Sequence, residues 1–82
     1  MRAIITLCNH DNGRFAVQTD RGFCVLQLRG DHDIDEGDVL EGDFSRPGIE
    51  LFKNLTQVEE LQAEVLEPQV TPFTADRMVK QG

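Results

Sequence analysis

Apolar residues are concentrated in three short runs along the first third of the chain, at 2–9, 14–19 and 23–28. The runs are rich in β-branched, aromatic and other apolar residues, as strands are. Asn12-Gly13 lies between the first two runs, and Asn-Gly favours a hairpin because both residues tolerate positive φ. Thr19–Gly22 predicts a type I turn that a glycine bulge closes. The pattern therefore predicts a three-stranded meander.

The later runs are shorter and lie further apart. Residues 29–37 are rich in aspartate and glycine and predict a loop, and strand-like runs follow at 38–44 and 49–53. Residues 57–67 fit two patterns: their composition favours a helix, but an open sheet would be closed by a strand here. We expect a strand at 60–67, with the helix as the alternative.

The composition changes after residue 67, where Pro68 and Pro72 bracket a short polar segment and Phe73 is the one aromatic residue that follows. A helical turn of this length is marginal by itself, so we expect a flexible C-terminal tail at 68–82. The predicted fold class is all-β, with a small barrel of five or six strands at 1–67.

The strand plan resembles that of OB-type barrels, in which a meander, a loop and two or three further strands close a small barrel. Residues 36–42, Glu-Gly-Asp-Val-Leu-Glu-Gly, resemble the start of the fourth strand in ribosomal-protein-type RNA-binding barrels. The resemblance implies a fold but no activity, because OB-type barrels carry many unrelated functions. The chain departs from these barrels in its short acidic 29–37 segment, where they carry a helix, and in having no Trp or Tyr.

The net charge of −7 limits the classes of partner. Eight basic residues are scattered among fifteen acidic ones, whereas nucleic-acid binders draw most of their affinity from clustered Lys and Arg. Nucleic acid and anionic membranes are therefore unlikely partners on electrostatic grounds. No apolar run approaches the roughly 20 residues that cross a bilayer, and no cleavage site follows the apolar start. We expect a cytoplasmic protein.

Residues with metal or catalytic chemistry form no recognisable motif. Asp31, Asp33 and Asp35 match the start of a calcium loop, but Glu36 and Gly42 replace the glycine and the bidentate glutamate that the loop needs. The two cysteines and two histidines lack the spacing of zinc ligands. The single serine lies in a Pro-Gly turn with no base near it in sequence. We expect no metal, no cofactor and no enzymatic activity.

Both cysteines, Cys8 and Cys24, lie inside apolar runs. The simplest interpretation is two reduced thiols that pack as small apolar side chains. A disulfide between them requires their strands to be neighbours in the sheet.

Two binding functions fit these patterns. The first is a protein-interaction module that associates with a protein partner or with itself, because the core is small, the third strand is apolar on both faces and the surface is acidic. The alternative is an oligonucleotide- or oligosaccharide-binding barrel. With a bulged turn, Phe15 and Phe23 share a face and can stack bases beside Arg14 and Arg21, although such a face is more typical of a core.

Overall fold

The computed structural model describes residues 1–81 as a closed antiparallel barrel with the strand order β1-β2-β3-β6-β5-β4 and a C-terminal helix. The predicted all-β barrel is confirmed, and the strand expected at 60–67 is present as part of a longer strand. The elements are β1 (Arg2–Asn9), β2 (Arg14–Thr19), β3 (Gly22–Arg29), β4 (Val39–Glu41), β5 (Gly48–Asn54), β6 (Glu59–Val70) and α1 (Pro72–Gln81).

The barrel interior is filled by the apolar side chains that alternate along the strands, as a pleated strand requires. The Phe44 side chain, from the loop after β4, is buried in the barrel core and stacks on Phe52 with ring centroids 4.8 Å apart. The inward-facing residues include Ile5, Phe15, Val17, Cys24, Leu26, Leu40, Leu61 and Val65.

The β2–β3 hairpin differs from its prediction by one residue. Thr19 pairs with Gly22 and Val17 with Cys24, without the register shift that a bulge would cause. Because strand side chains alternate with period two, this change moves Phe23 to the opposite face of the sheet from Phe15. Phe15 lies in the barrel core, whereas Phe23 packs on the outer surface.

Strand β4 is much shorter than the predicted run at 38–44. Its pairing ends at Glu41, and the next residue, Gly42, lies against the ring of Phe52 so closely that a side chain there would clash with it. Asp43 then accepts a hydrogen bond from the Ser45 amide at 2.9 Å, which turns the chain away from the sheet.

The C-terminal segment is the main correction to the expected architecture. In place of a flexible tail from residue 68, β6 continues to Val70 and α1 follows directly. Thr71 begins the helix as its N-cap, with its hydroxyl accepting the Thr74 amide at 3.2 Å, and Pro72 occupies the first helical position. Gly82, the last residue of the expected tail, lies outside the described residues.

Helix α1 is stabilised by its packing on the barrel, because ten residues are too few for a helix that is stable by itself. Ala75 and Val79 are buried against Ala16 and Val25 on the outer surface of β2 and β3. The backbone carbonyl of Val79 accepts the side-chain amide of Asn9 at 3.0 Å. A short helix that is marginal alone becomes stable once one face is covered. The second apolar face of β3 is thereby buried within the chain itself.

At ten residues, α1 is too short to cross a bilayer, and no other helix is present among residues 1–81.

Candidate functional site

The four residues of the predicted ligand face do not come together. Phe15 is fully buried in the barrel, and Phe23 is half-buried beside the residues that contact α1. Arg14 is held at the helix end, where its guanidinium donates to the Met78 carbonyl at 3.2 Å. Arg21 is exposed in the β2–β3 turn. No stacking platform results, because the hairpin register separates the two rings.

A cluster of Cys8, His10 and Asp35 was missed in the sequence, because Asp35 reaches it from a distant loop. The Cys8 Sγ lies 3.6 Å from Nε2 of His10, and Oδ1 of Asp35 lies 3.8 Å from the same nitrogen. A catalytic relay needs the acid and the nucleophile on different ring nitrogens. Burial, and then the charge of Asp35, raise the pKa of Cys8 to about 11. An activated thiol has a lowered pKa, so this arrangement is not that of a nucleophile.

Cys24 is separated from Cys8 by β2, and both thiols are free. The Cys24 thiol is buried in the barrel and donates to the Phe44 carbonyl at 3.8 Å. Burial raises its pKa to about 12. Cys24 therefore packs as a core residue, as its apolar surroundings in the sequence indicate.

The thiol pKa values predict slow labelling. Cys8 titrates near 11 rather than 9.0, so its thiolate fraction is about 100-fold lower than that of a free thiol at mildly alkaline pH. An aromatic disulfide reagent should therefore react at least about tenfold more slowly with the folded protein than with the urea-unfolded chain, because the greater nucleophilicity of a less acidic thiolate offsets part of its lower abundance. Rapid labelling of the folded protein would contradict the prediction.

The same values set the direction of a stability change with pH. The unfolded thiols ionise near 9.0, while the folded ones stay protonated until about 11 and about 12. Their contribution to the free energy of unfolding is complete below pH 9.0 and is lost as pH rises through this interval. Urea midpoints measured across the interval should fall less for a Cys8→Ser, Cys24→Ala variant than for wild type.

The acidic loop between β3 and β4 separates into exposed and buried carboxylates. Asp31, Asp33 and Asp35 are exposed, whereas Asp38 is 4% exposed. The Asp38 carboxylate accepts the side-chain amide of Asn54 at 3.0 Å and the Asp35 backbone amide at 3.1 Å. Asp38 thus joins the loop to the end of β5. Within residues 1–81, no group of three or more His, Cys, Asp or Glu side chains is arranged to hold a metal ion.

One edge of β5 has no partner over most of its length. Strand β4 pairs with β5 only at Leu40–Asn54 and Glu41–Lys53. The Phe44 carbonyl then accepts a hydrogen bond from Cys24 on β3, and Ser45 lies beside Thr19 and Pro68, so the connecting loop crosses the end of the barrel. Within residues 1–81, no hydrogen bond reaches the backbone of Gly48–Phe52 on this side. We call this segment the open edge.

The backbone groups that face outward at the open edge belong to Ile49 and Leu51. The amide of Leu55, just after β5, donates to the Val39 carbonyl at 2.8 Å, so odd-numbered residues direct their backbone groups towards β4. Pairing of β5 with β6 is regular from Gly48 to Asn54, so the alternation continues along the strand. The N–H and C=O groups of Ile49 and Leu51 therefore face solvent.

The same two residues expose their side chains. Ile49 is 55% exposed and Leu51 is 58% exposed, on the outer surface of the barrel beside Glu64 and Gln62 of β6. An exposed strand edge with apolar side chains favours pairing with a further strand, and proteins usually block such edges. The open edge therefore combines unpaired backbone groups with apolar contact surface.

Glu50 lies at the centre of the open edge. Its neighbours in the alternation, Phe52 and Asn54, point into the barrel, so the Glu50 side chain lies on the inner side, at the barrel end, and is partly exposed. Within residues 1–81 it forms no ion pair. A charge in the middle of an edge strand opposes pairing with a strand of like charge.

Val58, in the turn between β5 and β6, has an unusual backbone conformation. It adopts a φ of +57° and is 86% exposed. The left-handed region is unfavourable for β-branched residues by about 1–2 kcal/mol. Within residues 1–81, most of the Val58 side chain is not covered.

No protein-family model matches the chain, and neither the curated proteins nor the solved structures include a match.

Proposed function

We propose that this chain is a non-enzymatic protein-interaction module that binds another protein along the open edge. The observation that carries the proposal is the coincidence, at Ile49 and Leu51, of outward-facing backbone groups with side chains that are 55% and 58% exposed. Strand addition to such an edge supplies affinity through main-chain hydrogen bonds and specificity through the flanking side chains.

The alternative of oligonucleotide or oligosaccharide binding has less support. Phe15 is buried, and the net charge of −7 repels phosphates. The closed six-stranded barrel is consistent with a small barrel fold in general, and the OB-type resemblance and a cytoplasmic location stay predictions. A binding function tied to the OB-type fold would rest on analogy alone.

Self-association also stays a prediction, with less support than binding to a different protein. The apolar outer face of β3, which favoured it, is covered by α1. Two copies would each carry a charge of −7, and a net charge far from zero keeps proteins apart. Light scattering at micromolar concentration measures the mass directly, and a dimer that persists on dilution would support self-association.

Site-specific photo-crosslinking tests the proposal in the cells that make the protein. A photoreactive phenylalanine analogue at Leu51 should form an adduct with a partner protein. The matched control carries the analogue at Phe73, an apolar position on α1 that is 70% exposed against 58% for Leu51. The adduct should form from position 51 and not from position 73, and Ile49→Ser should abolish it.

Three other outcomes are informative. Absence of an adduct from position 51, or equal adducts from both positions, would overturn the proposal. An adduct of twice the mass of the chain would assign the open edge to a second copy.

A further inference from the structure

We infer that the open edge binds an extended segment of its partner in which one lysine or arginine lies between two apolar residues and faces Glu50. The inference rests on the proposed function and adds the chemistry of the bound segment. It depends on the direction of backbone groups at the edge, the position of the Glu50 carboxylate and the charge of the molecule.

The backbone geometry fixes how a strand would add. In an antiparallel pair, residues opposite one another alternate between pairs that exchange two hydrogen bonds and pairs that exchange none. Ile49 and Leu51 present their N–H and C=O groups to the open side, so each would exchange two bonds with a residue of the added strand. The residue between those two partner residues then lies directly opposite Glu50.

That middle position is where side chains approach each other most closely. Pairs without hydrogen bonds bring their Cα atoms to about 4.5 Å, closer than the hydrogen-bonded pairs. Opposite residues also share a face of the sheet, so the middle side chain of the partner lies on the inner side with Glu50. A lysine or arginine there pairs with a carboxylate that has no ion-pair partner within residues 1–81.

The flanking positions favour apolar side chains. They lie on the outer surface, next to Ile49 and Leu51, which are both more than half exposed. On the far side of these two residues lie Gln62 and Glu64, and Glu64 is bound to Arg29 at 2.7 Å. The apolar contact is therefore confined to one narrow strip, which fits a single added strand.

Charge also favours a basic segment over a second copy of the chain as the strand that adds to the open edge. Pairing β5 with itself so that Ile49 faces Leu51 would place Glu50 directly opposite Glu50 of the other copy. Both copies would carry a net charge of −7. Like charges at directly opposite positions destabilise a strand pair, whereas a basic segment is attracted over a longer range.

The experiment uses three capped peptides of about eight residues, in which valine alternates with lysine, glutamine or glutamate. Each is titrated into the isotope-labelled full chain at low salt, and amide hydrogen exchange is followed by nuclear magnetic resonance. The lysine peptide should bind at least about tenfold more tightly than the glutamine peptide and protect the amides of Ile49 and Leu51. The glutamate peptide should not bind.

Two charge variants separate the local carboxylate from the overall charge. Glu50→Lys should remove the preference for lysine over glutamine, because a lysine then faces the middle residue of the peptide. Glu36→Lys makes the same change in net charge in the exposed β3–β4 loop and should keep the preference for lysine. An equal loss of preference in both variants would overturn the role of Glu50.

The remaining outcomes distinguish this inference from the proposed function. Equal binding of all three peptides, with protection of Ile49 and Leu51, would overturn the charge rule and leave the edge as an interaction site. Failure of every peptide to protect these amides would overturn the inference, and crosslinking from position 51 would still decide the function. Protection that rises with protein concentration alone would give the edge to a second copy.

Discussion

Phe52→Ala is expected to lower the free energy of unfolding by about 4 kcal/mol, the usual cost of removing a fully buried aromatic ring. Phe52 has no exposed surface, stacks on Phe44 and lies against the backbone of Gly42. A stacked ring on one side and the backbone of Gly42 on another limit how far the surroundings can move in to fill the cavity. A domain of this size has a small margin of stability, so much of the variant should be unfolded at room temperature.

Urea unfolding followed by far-ultraviolet circular dichroism measures this loss. The matched control is Leu51→Ala, the adjacent residue on the same strand, which is 58% exposed and should change the free energy of unfolding by less than about 0.5 kcal/mol. A Phe52→Ala cost below about 1.5 kcal/mol would mean that the ring is less tightly packed than the structure has it.

Asp38→Ala is expected to destabilise the fold by about 3 kcal/mol, because it leaves the buried side-chain amide of Asn54 and two part-buried donors without an acceptor. The Asp38 carboxylate accepts bonds from Asn54 at 3.0 Å, from the Asp35 backbone at 3.1 Å and from Gln57 at 3.3 Å. Asn54 is itself buried, so water cannot replace the lost bond to its amide. The substitution therefore loosens two segments together, the β3–β4 loop and the β5–β6 turn.

Asp38→Asn separates hydrogen bonding from charge. One carboxylate oxygen, Oδ2, accepts all three bonds, and an asparagine oxygen in the same place would keep them. We expect Asp38→Asn to cost less than about 1 kcal/mol, with the exposed Asp33→Ala as a neutral control. Equal costs for the alanine and asparagine variants would show that charge, rather than the bonds, holds the loop.

The meander and the closing strand were predictable because their signals are local. The apolar, β-branched and aromatic residues of 2–9, 14–19 and 23–28, bounded by turn residues, indicate strands whatever lies around them, and β6 follows from the need to close the sheet. The β2–β3 register was not predictable to one residue, because the same turn residues suit a bulged and an unbulged hairpin. That one residue separated Phe15 from Phe23 and removed the predicted ligand face.

Helix α1 and the open edge depend on contacts that a local pattern does not contain. Ala75 and Val79 are weak helix signals until the small outer surface of Ala16 and Val25 is present to receive them. The length of the open edge depends on Gly42, where the ring of Phe52 and the turn at Asp43 end the pairing of β4. Because the ring of Phe52 determines where β4 ends, the periodicity of the sequence around β4 does not reveal this end.

The left-handed valine between β5 and β6 also affects the order in which the barrel assembles. A turn that ends with Val58 at a φ of +57° is a poor nucleus, since its backbone is unfavourable until both flanking strands hold it. The first three strands instead meet through short connections between sequence neighbours, which carry a low entropic cost of closure. The barrel would then condense on its N-terminal half, and the edge that remains unpaired in the finished fold would belong to the last strands to arrive.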